Sequence, residues 1–370
     1  MKRIKNDKIE KIDFTNTNFS IVDVKKAKKK KILRTILISC ICFVITIFSS
    51  LAFLLYGPYK NFREWLITTA MSTMNHQYLA TIFYSDSVIN GVLSQNRVIE
   101  SNDTTDTDII EIVDVNTNVK SYKNKYEEEI LKKENDNDLY KLIEFEGNGY
   151  YAHLVAIYDP SKVKVATTSY LGSNGQYLTT MAKNNNAVVA INGGGFYDPD
   201  WNSTGGNPHG IVIKDGKIVW NGSKASVGGG LIGFTNDNKL ILGKMTAQEA
   251  LEKGVRDALE FGPFLIVNGK SSFIKGNGGW GTAPRTAIGQ RKDGIVLFLV
   301  IDGRTLKYPG ASMVDLTEIM ERYGAYNAVN LDGGTSSGLV INNELINHPI
   351  NGNGANKTRP IPTAFIVTNE

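Results

Sequence analysis

Cysteine is almost missing from this 370-residue chain: Cys40 and Cys42 are the only two, and both lie inside an apolar run. The rest of the chain therefore has no disulfide framework. With four histidines in all, no His/Cys cluster offers zinc a tetrahedral site. Basic charge is scarce beyond the N-terminus. Residues 1–34 carry 12 Lys/Arg against 4 Asp/Glu, and the remainder 29 against 33, so the net +4 belongs to one end. A nucleic-acid binder needs a basic face on its folded part, and here that part is mildly acidic. No internal repeat is present.

Formal charge is also absent between Ile36 and Tyr56. These residues would make about 32 Å of helix, one bilayer core. Lys25, Lys26, Lys28, Lys29, Lys30, Lys31 and Arg34 precede them, which places the N-terminus in the cytoplasm and everything after Tyr56 outside. A cleaved signal peptide fits less well, because the charged region is long and no small-residue cleavage site follows. The expected organisation is a basic cytoplasmic tail (1–34), a single transmembrane helix (35–56), a juxtamembrane helix and polar spacer (57–140) and a folded domain (141–370). A cysteine-free domain beyond a membrane anchor fits a Gram-positive cell surface.

Within 141–370 short apolar runs alternate with Gly, Asn and Asp, as in Ala187–Ile191, Ile295–Ile301 and Ala328–Leu331. Asp215-Gly216 and Asn268-Gly269 are hairpin-type turns. Helices are few: Thr246-Ala-Gln-Glu249 and Ser312-Met-Val-Asp315 open two with capping boxes, and 176–183 is a third candidate. The expected class is an α+β, strand-rich domain with a few helices, preceded by the N-terminal transmembrane helix.

The stretch around which this domain is organised is Asn330-Leu-Asp332-Gly333-Gly334-Thr335-Ser336, between two apolar runs. A bland Gly-rich hairpin would look similar. Glycines, however, let a ligand approach the backbone, and hydroxyls and amides can hold an anion or a sugar. Three further stretches resemble it. Asn192-Gly193-Gly194-Gly195-Phe-Tyr-Asp198 ends a strand and leads to His209; Pro284-Arg285-Thr286 and Asp302-Gly303-Arg304 bring arginines to strand ends. Arginine offers bidentate donors to phosphate. Gly276-Asn-Gly-Gly-Trp-Gly281 matches a dinucleotide fingerprint literally, but Pro284 follows where a helix would have to open.

Six stretches in order, Asn192–Asp198, Glu260–Leu265, Arg285–Gly289, Asp302–Arg304, Asn330–Ser337 and Arg359–Ala364, resemble the phosphodiester glycosidase family over roughly residues 145–370. Many bacterial members are labelled exopolysaccharide-biosynthesis proteins. Thr335 stands where a third Gly is expected in many relatives. The disulfides and extra domains of the animal members are absent, so their substrate does not carry over. The resemblance implies hydrolysis of a sugar, an N-acetylhexosamine by analogy, joined through its anomeric carbon to a phosphodiester on a surface glycan. Phosphate leaves readily, so such an enzyme needs a clamp for its charge and a carboxylate acting as nucleophile or base. The expected catalytic residues are Asp302, Asp332, Arg285 and Arg304. The expected substrate-binding residues are Asn192, Gly193, Gly194, His209, Glu260, Thr286, Asn330, Gly333, Gly334, Thr335 and Ser336. No metal or other cofactor is expected in the chemistry, although Asp198, Asp200, Asp302 and Asp332 offer oxygens to Ca²⁺. The expected partners are a phosphodiester-linked sugar or glycopolymer and the membrane, without nucleic acid; a homodimer is left open. Two competing readings fit the same residues: a glycopolymer phosphotransferase, and a non-catalytic polysaccharide-binding module.

Overall fold

The computed structural model describes residues 21–73, 76–114, 121–198, 203–223, 228–350 and 357–369. The chain forms two compact units, Met1–Arg63 and Glu64–Glu370. In the first, helix Ile21–Tyr56 contains a stretch, Lys26–Tyr56, long and apolar enough to cross a membrane.

The second unit is strand-rich α+β, and three antiparallel sheets dominate it. The largest has the order Lys270–Ser271, Phe264–Val267, Ala325–Leu331, Arg285–Arg291, Val296–Asp302, Tyr150–Ile157, Tyr140–Gly147. The second runs Glu344–Leu345, Leu339–Ile341, Ala187–Asn192, Thr363–Thr368, Val163–Thr167, and the third Lys217–Asn221, Ile211–Lys214, Val255–Phe261, Gly230–Thr235, Leu240–Gly243.

Strand alternation explains how the sheets assemble. Val296, Phe298 and Val300 of the first sheet, Val189, Ile191 and Phe365 of the second, and Ile232, Phe234 and Leu259 of the third all enter one shared core. The Phe365 ring lies 6.2 Å from Phe234 and 6.5 Å from Phe298, where the three sheets meet. Truncating such a ring to Ala costs about 3–5 kcal/mol. The alternate residues face outward, and each sheet covers them with a helix. Leu316, Ile319 and Met320 of helix Met313–Arg322 pack on Leu297 and Leu299. Leu178, Met181 and Ala182 of helix Leu178–Asn184 pack on Ala190 and Ile366. Ala247 and Ala250 of helix Ala247–Glu252 pack on Ile213 and Ala258. Both expected capping boxes form, Thr246 with Glu249 and Ser312 with Asp315. The two hairpin turns take their expected positive φ, Asp215 at 50° with Gly216 at 69° and Asn268 at 54° with Gly269 at 72°.

The segment expected as a spacer packs on the domain instead. Helix Lys60–Ser72 contributes buried Ile67, Thr68 and Ala70, and strand Arg97–Ile99 pairs with Phe273–Lys275. Thr105, inside a run that looks fully solvated by composition, donates its N–H to the Leu242 carbonyl and accepts from the Leu242 N–H through its hydroxyl. It thereby covers the edge of the third sheet.

Candidate active site

Antiparallel pairing brings three chosen residues to one end of the first sheet. Thr286 pairs with Leu331 and Arg285 with Ile301, so Arg285, Asp332 and Asp302 fall at adjacent strand ends. Asn192 ends its strand in the second sheet, paired with Ala364. A cleft of about 410 Å³ opens there, and its lining includes Trp280, Arg285, Arg304, Asp332, Thr335 and Arg359.

Asp332 is the only carboxylate among the described residues of that lining. Its backbone N–H donates to the Gly193 carbonyl at 3.1 Å, and its own carbonyl accepts from Asn192 Nδ2 at 2.6 Å. Burial pushes its carboxyl above the usual range, against the pull of the Ser336 hydroxyl, the Gly333 N–H and the charges of Arg359 and His209. Gly333 and Gly334 bring the turn against Pro284, whose carbonyl accepts from the Gly334 N–H at 2.9 Å. Gly334 does so at a φ of 63°, where a side chain would be strained.

Arg285 is buried, yet no carboxylate pairs with it among the described residues. Backbone carbonyls hold it: Nε donates to Ala311 at 3.1 Å, and Nη2 to Trp280 at 2.5 Å and Gly281 at 2.9 Å. Nη1 is left facing the Gly333 turn. Burial, followed by the like charge of Arg304, lowers its pKa to about 10, so it stays cationic at neutral pH. Arg304 reaches the cleft from a left-handed backbone, φ 65°, and donates through Nη1 to Thr335 Oγ1 at 2.6 Å and the Ile350 carbonyl at 2.8 Å. Non-glycine residues held there store strain that tertiary contacts must offset.

The remaining expected residues separate into two groups. Gly333, Gly334, Thr335 and Ser336 line the cleft. Asn192, Thr286, Asn330, Glu260, Gly193 and Gly194 are bonded or packed within the protein. Asn192 Oδ1 accepts from Thr286 Oγ1 at 2.7 Å and the Gly338 N–H at 3.1 Å, so Asn192 ties down the Asp332 turn from beneath. Asn330 Nδ2 donates to the Gly262 carbonyl, and Glu260 accepts from the Ile211 N–H. An added Cβ on Gly193 would meet Thr363 Oγ1 at 2.6 Å, and one on Gly194 the Glu260 carbonyl at 2.7 Å. These two glycines permit close packing of the loop rather than approach by a ligand. His209 is half-buried beside Gly195 and near enough for its charge to act on Asp332.

Asp302, the other carboxylate expected in catalysis, is not among the residues that line the cleft. Val296, Phe298 and Val300 face the core, and Asp302 continues their face, away from the cleft lining. Its carboxylate accepts from His153 Nε2 (3.3 Å), Asn347 Nδ2 (3.0 Å) and the His348 N–H (2.9 Å), with its lone pairs committed to the protein. Burial alone would raise its pKa, but these bonds hold it below the usual carboxylate range. Asp302 thus braces the segment that presents the Ile350 carbonyl to Arg304.

Arg359 is the residue that sequence reasoning underused. It lies in a stretch already singled out, yet was not expected in the site. Its guanidinium stacks on Phe196 at 4.5 Å, pairs with Asp198 and lines the cleft. Ser72, Thr73, His76, Ser203 and Trp280 also line it, and no local pattern marks them. Among the described residues no group of three or more His, Cys, Asp or Glu side chains is arranged to hold a metal, and Asp200 lies outside the described residues. Three guanidinium groups around one carboxylate can fix a phosphate and set an oxygen nucleophile, or a water, beside it.

The family model described as phosphodiester glycosidase matches residues 185–368. The SPbeta prophage-derived uncharacterized protein YomE of Bacillus subtilis is 32% identical over 200 residues, covering 52% of this chain and 30% of its own. The mouse N-acetylglucosamine-1-phosphodiester alpha-N-acetylglucosaminidase is 24% identical over 227 residues, covering 55% of this chain and 42% of its own. The chain thus spans less than half the length of these relatives. The catalytic domain of the zebrafish N-acetylglucosamine-1-phosphodiester alpha-N-acetylglucosaminidase, a structure auto-inhibited by its pro-peptide, has the same fold, with a TM-score of 0.52 at 23% identity over 62% of this chain and 82% of that one.

Proposed function

Through residues 185–368 the chain belongs to the phosphodiester glycosidase family, and from that premise we propose that it hydrolyses a sugar joined through its anomeric carbon to a phosphodiester. The observation that carries this reading is Asp332, the single carboxylate among the described residues of the cleft lining, set among Arg285, Arg304 and Arg359. An ordinary glycosidase needs a second carboxyl to protonate its leaving group. Cleavage of the phosphodiester releases a phosphomonoester, a stable anion, so that role falls away and guanidinium groups take its place. Arg285 Nη1, Arg304 and Arg359 hold the phosphate oxygens. Asp332 deprotonates the attacking water, or attacks the anomeric carbon to form a glycosyl ester that water then hydrolyses, as the C–O bond to phosphate breaks and its electron pair leaves with the phosphate. The turn bonds from Asn192 and Gly193 keep Asp332 in place meanwhile. An N-acetylhexosamine on an exopolysaccharide or other surface glycan is the substrate class that the mouse relative's name and the topology favour. The apolar helix anchors the chain, with its basic flank in the cytoplasm and the cleft outside.

The test is release of free sugar by the full chain from UDP-N-acetylglucosamine and from a glycan with phosphodiester-linked sugar. Asp332→Asn should lower kcat by about 10²–10⁴-fold, and Arg285→Ala should abolish turnover. A wild-type chain that binds glycan but releases no sugar from any phosphodiester would favour a binding module and end the hydrolase reading.

A further inference from the structure

We infer that the described residues of 64–73 and 76–99, which lie outside the family-matching region, are a working part of the active site: they supply one wall of the cleft and hold the loop that positions Arg285. The inference rests on the hydrolase reading for its kinetics, though not for its binding readout. Ser72, Thr73 and His76 line the same cleft as Asp332. The loop 277–282, whose Trp280 and Gly281 carbonyls hold Arg285, is in turn held by this segment. Trp65 Nε1 donates to Thr282 Oγ1 at 3.1 Å, and Asn277 Nδ2 to Thr68 Oγ1 at 2.8 Å. The Asn277 N–H donates to Asn96 Oδ1 at 2.9 Å, and the Thr282 N–H to Thr69 Oγ1 at 3.3 Å.

Packing makes the contact intimate. Gly281 has a φ of 57°, and a Cβ built on it would lie 2.3 Å from Thr69 Cα, so the two backbones touch. Thr68 is fully buried; its hydroxyl proton goes to the Glu64 carbonyl, and its oxygen accepts from Asn277. Strand Arg97–Ile99 closes the near side of the loop by pairing with Phe273–Lys275. No carboxylate among the described residues pairs directly with this guanidinium, and two of the three carbonyls that hold it lie on the loop, so its position depends on that loop. Trp65 and Thr68 are therefore positioning residues for the phosphate clamp. The half-buried imidazole of His76, with the hydroxyls of Ser72 and Thr73, gives the cleft a polar wall suited to the group esterified on the far side of the phosphate.

The experiment uses the full chain carrying Trp65→Phe, Thr68→Val or His76→Ala, with inorganic phosphate as the binding probe and a sugar phosphodiester as substrate. Each of the first two removes one hydrogen bond to the loop and should weaken phosphate binding and lower kcat/KM by about three- to tenfold. Thr68→Ser, which keeps the hydroxyl, should restore both. His76→Ala should raise KM for the diester without moving the thermal midpoint. Folded variants with wild-type phosphate affinity and kinetics would overturn the inference, and so would faster turnover, which would mark the segment as a cover over the cleft. If the wild type releases no sugar but phosphate affinity still falls in the variants, the hydrolase reading fails and this inference stands.

Discussion

Replacing Asn192 by alanine should be among the most damaging single changes in the domain, and its magnitude follows from three bonds. Asn192 is 1% exposed; it donates to the Asp332 carbonyl and accepts from the Thr286 hydroxyl and the Gly338 N–H. Thr286 and Gly338 are themselves buried, so alanine strands both donors out of reach of water. Each stranded group costs about 1–3 kcal/mol, and the Asp332 carbonyl, at the cleft, adds about 1 kcal/mol more. The total is about 3–7 kcal/mol. For a domain of this size that corresponds to a fall of about 6–14 °C in the thermal midpoint. Asn192→Asp keeps an acceptor for both donors but sets a carboxylate oxygen against the Asp332 carbonyl in a buried site, so at neutral pH it should be at least as damaging as alanine. Both variants free the Asp332 turn, and a shift of about 1 Å in a catalytic group can lower turnover about 10²-fold. Thermal unfolding read beside sugar release on the folded fraction measures both effects. An alanine variant within about 1 kcal/mol of wild type, turning over at the wild-type rate, would refute the claim that Asn192 holds the site together.

Other predictions follow from charge. The folded pKa of Asp332 lies above its unfolded value, so the penalty on folding grows as pH rises from the unfolded value, is complete above the folded one, and fades as pH falls back through that window. Asp332→Asn should thus raise the thermal midpoint at neutral pH, with the gain vanishing below about pH 4, while activity disappears. In the wild type the acid limb of the rate profile should lie above the ordinary Asp range, since the ionised form does the work. Asp302 has the opposite sign: its depressed pKa gives stability that is present above about pH 4 and is lost as pH falls through the folded value. Asp302→Asn should flatten that acid-side decline in a pH series of unfolding midpoints. Arg285→Lys keeps the charge but cannot make three carbonyl bonds and still present a planar fork; it should lower phosphate affinity at least about tenfold in a calorimetric titration.

Much of the site could be read in the sequence where its cause is local. The two capping boxes need only four residues each, and both formed as expected. Asp332 was visible because an apolar run ends at Leu331 and two glycines follow; Arg285 was visible because Pro284 marks the strand's start. The direction of Asp302 was not legible because Val296–Ile301 is buried on both faces. A strand buried on two sides loses the period of two that would have shown which way its last residue points. Arg359 depends on Phe196 and Asp198, more than 160 residues away, and Trp65 on Thr282, 217 residues away. No spacing rule reaches that far. Residues 101–108 have the composition of a solvated connector, but a polar strand-like segment can also satisfy an exposed sheet edge, and Thr105 does that against Leu242.

The order of strands in the largest sheet also sets where this protein can safely be cut. Tyr140–Gly147 and Tyr150–Ile157 precede the family-matching region, yet they are the outer neighbours of Val296–Asp302. A fragment beginning at residue 185 would leave Val-Leu-Phe-Leu-Val-Ile-Asp as a bare seven-residue edge with unpaired amides and no charge before its last position. Such an edge is a template for another copy of itself, and the fragment should self-associate through it. The boundary of the family model's match and the boundary of the complete sheet are therefore different places, and the strands between them protect the rest of the sheet from aggregation.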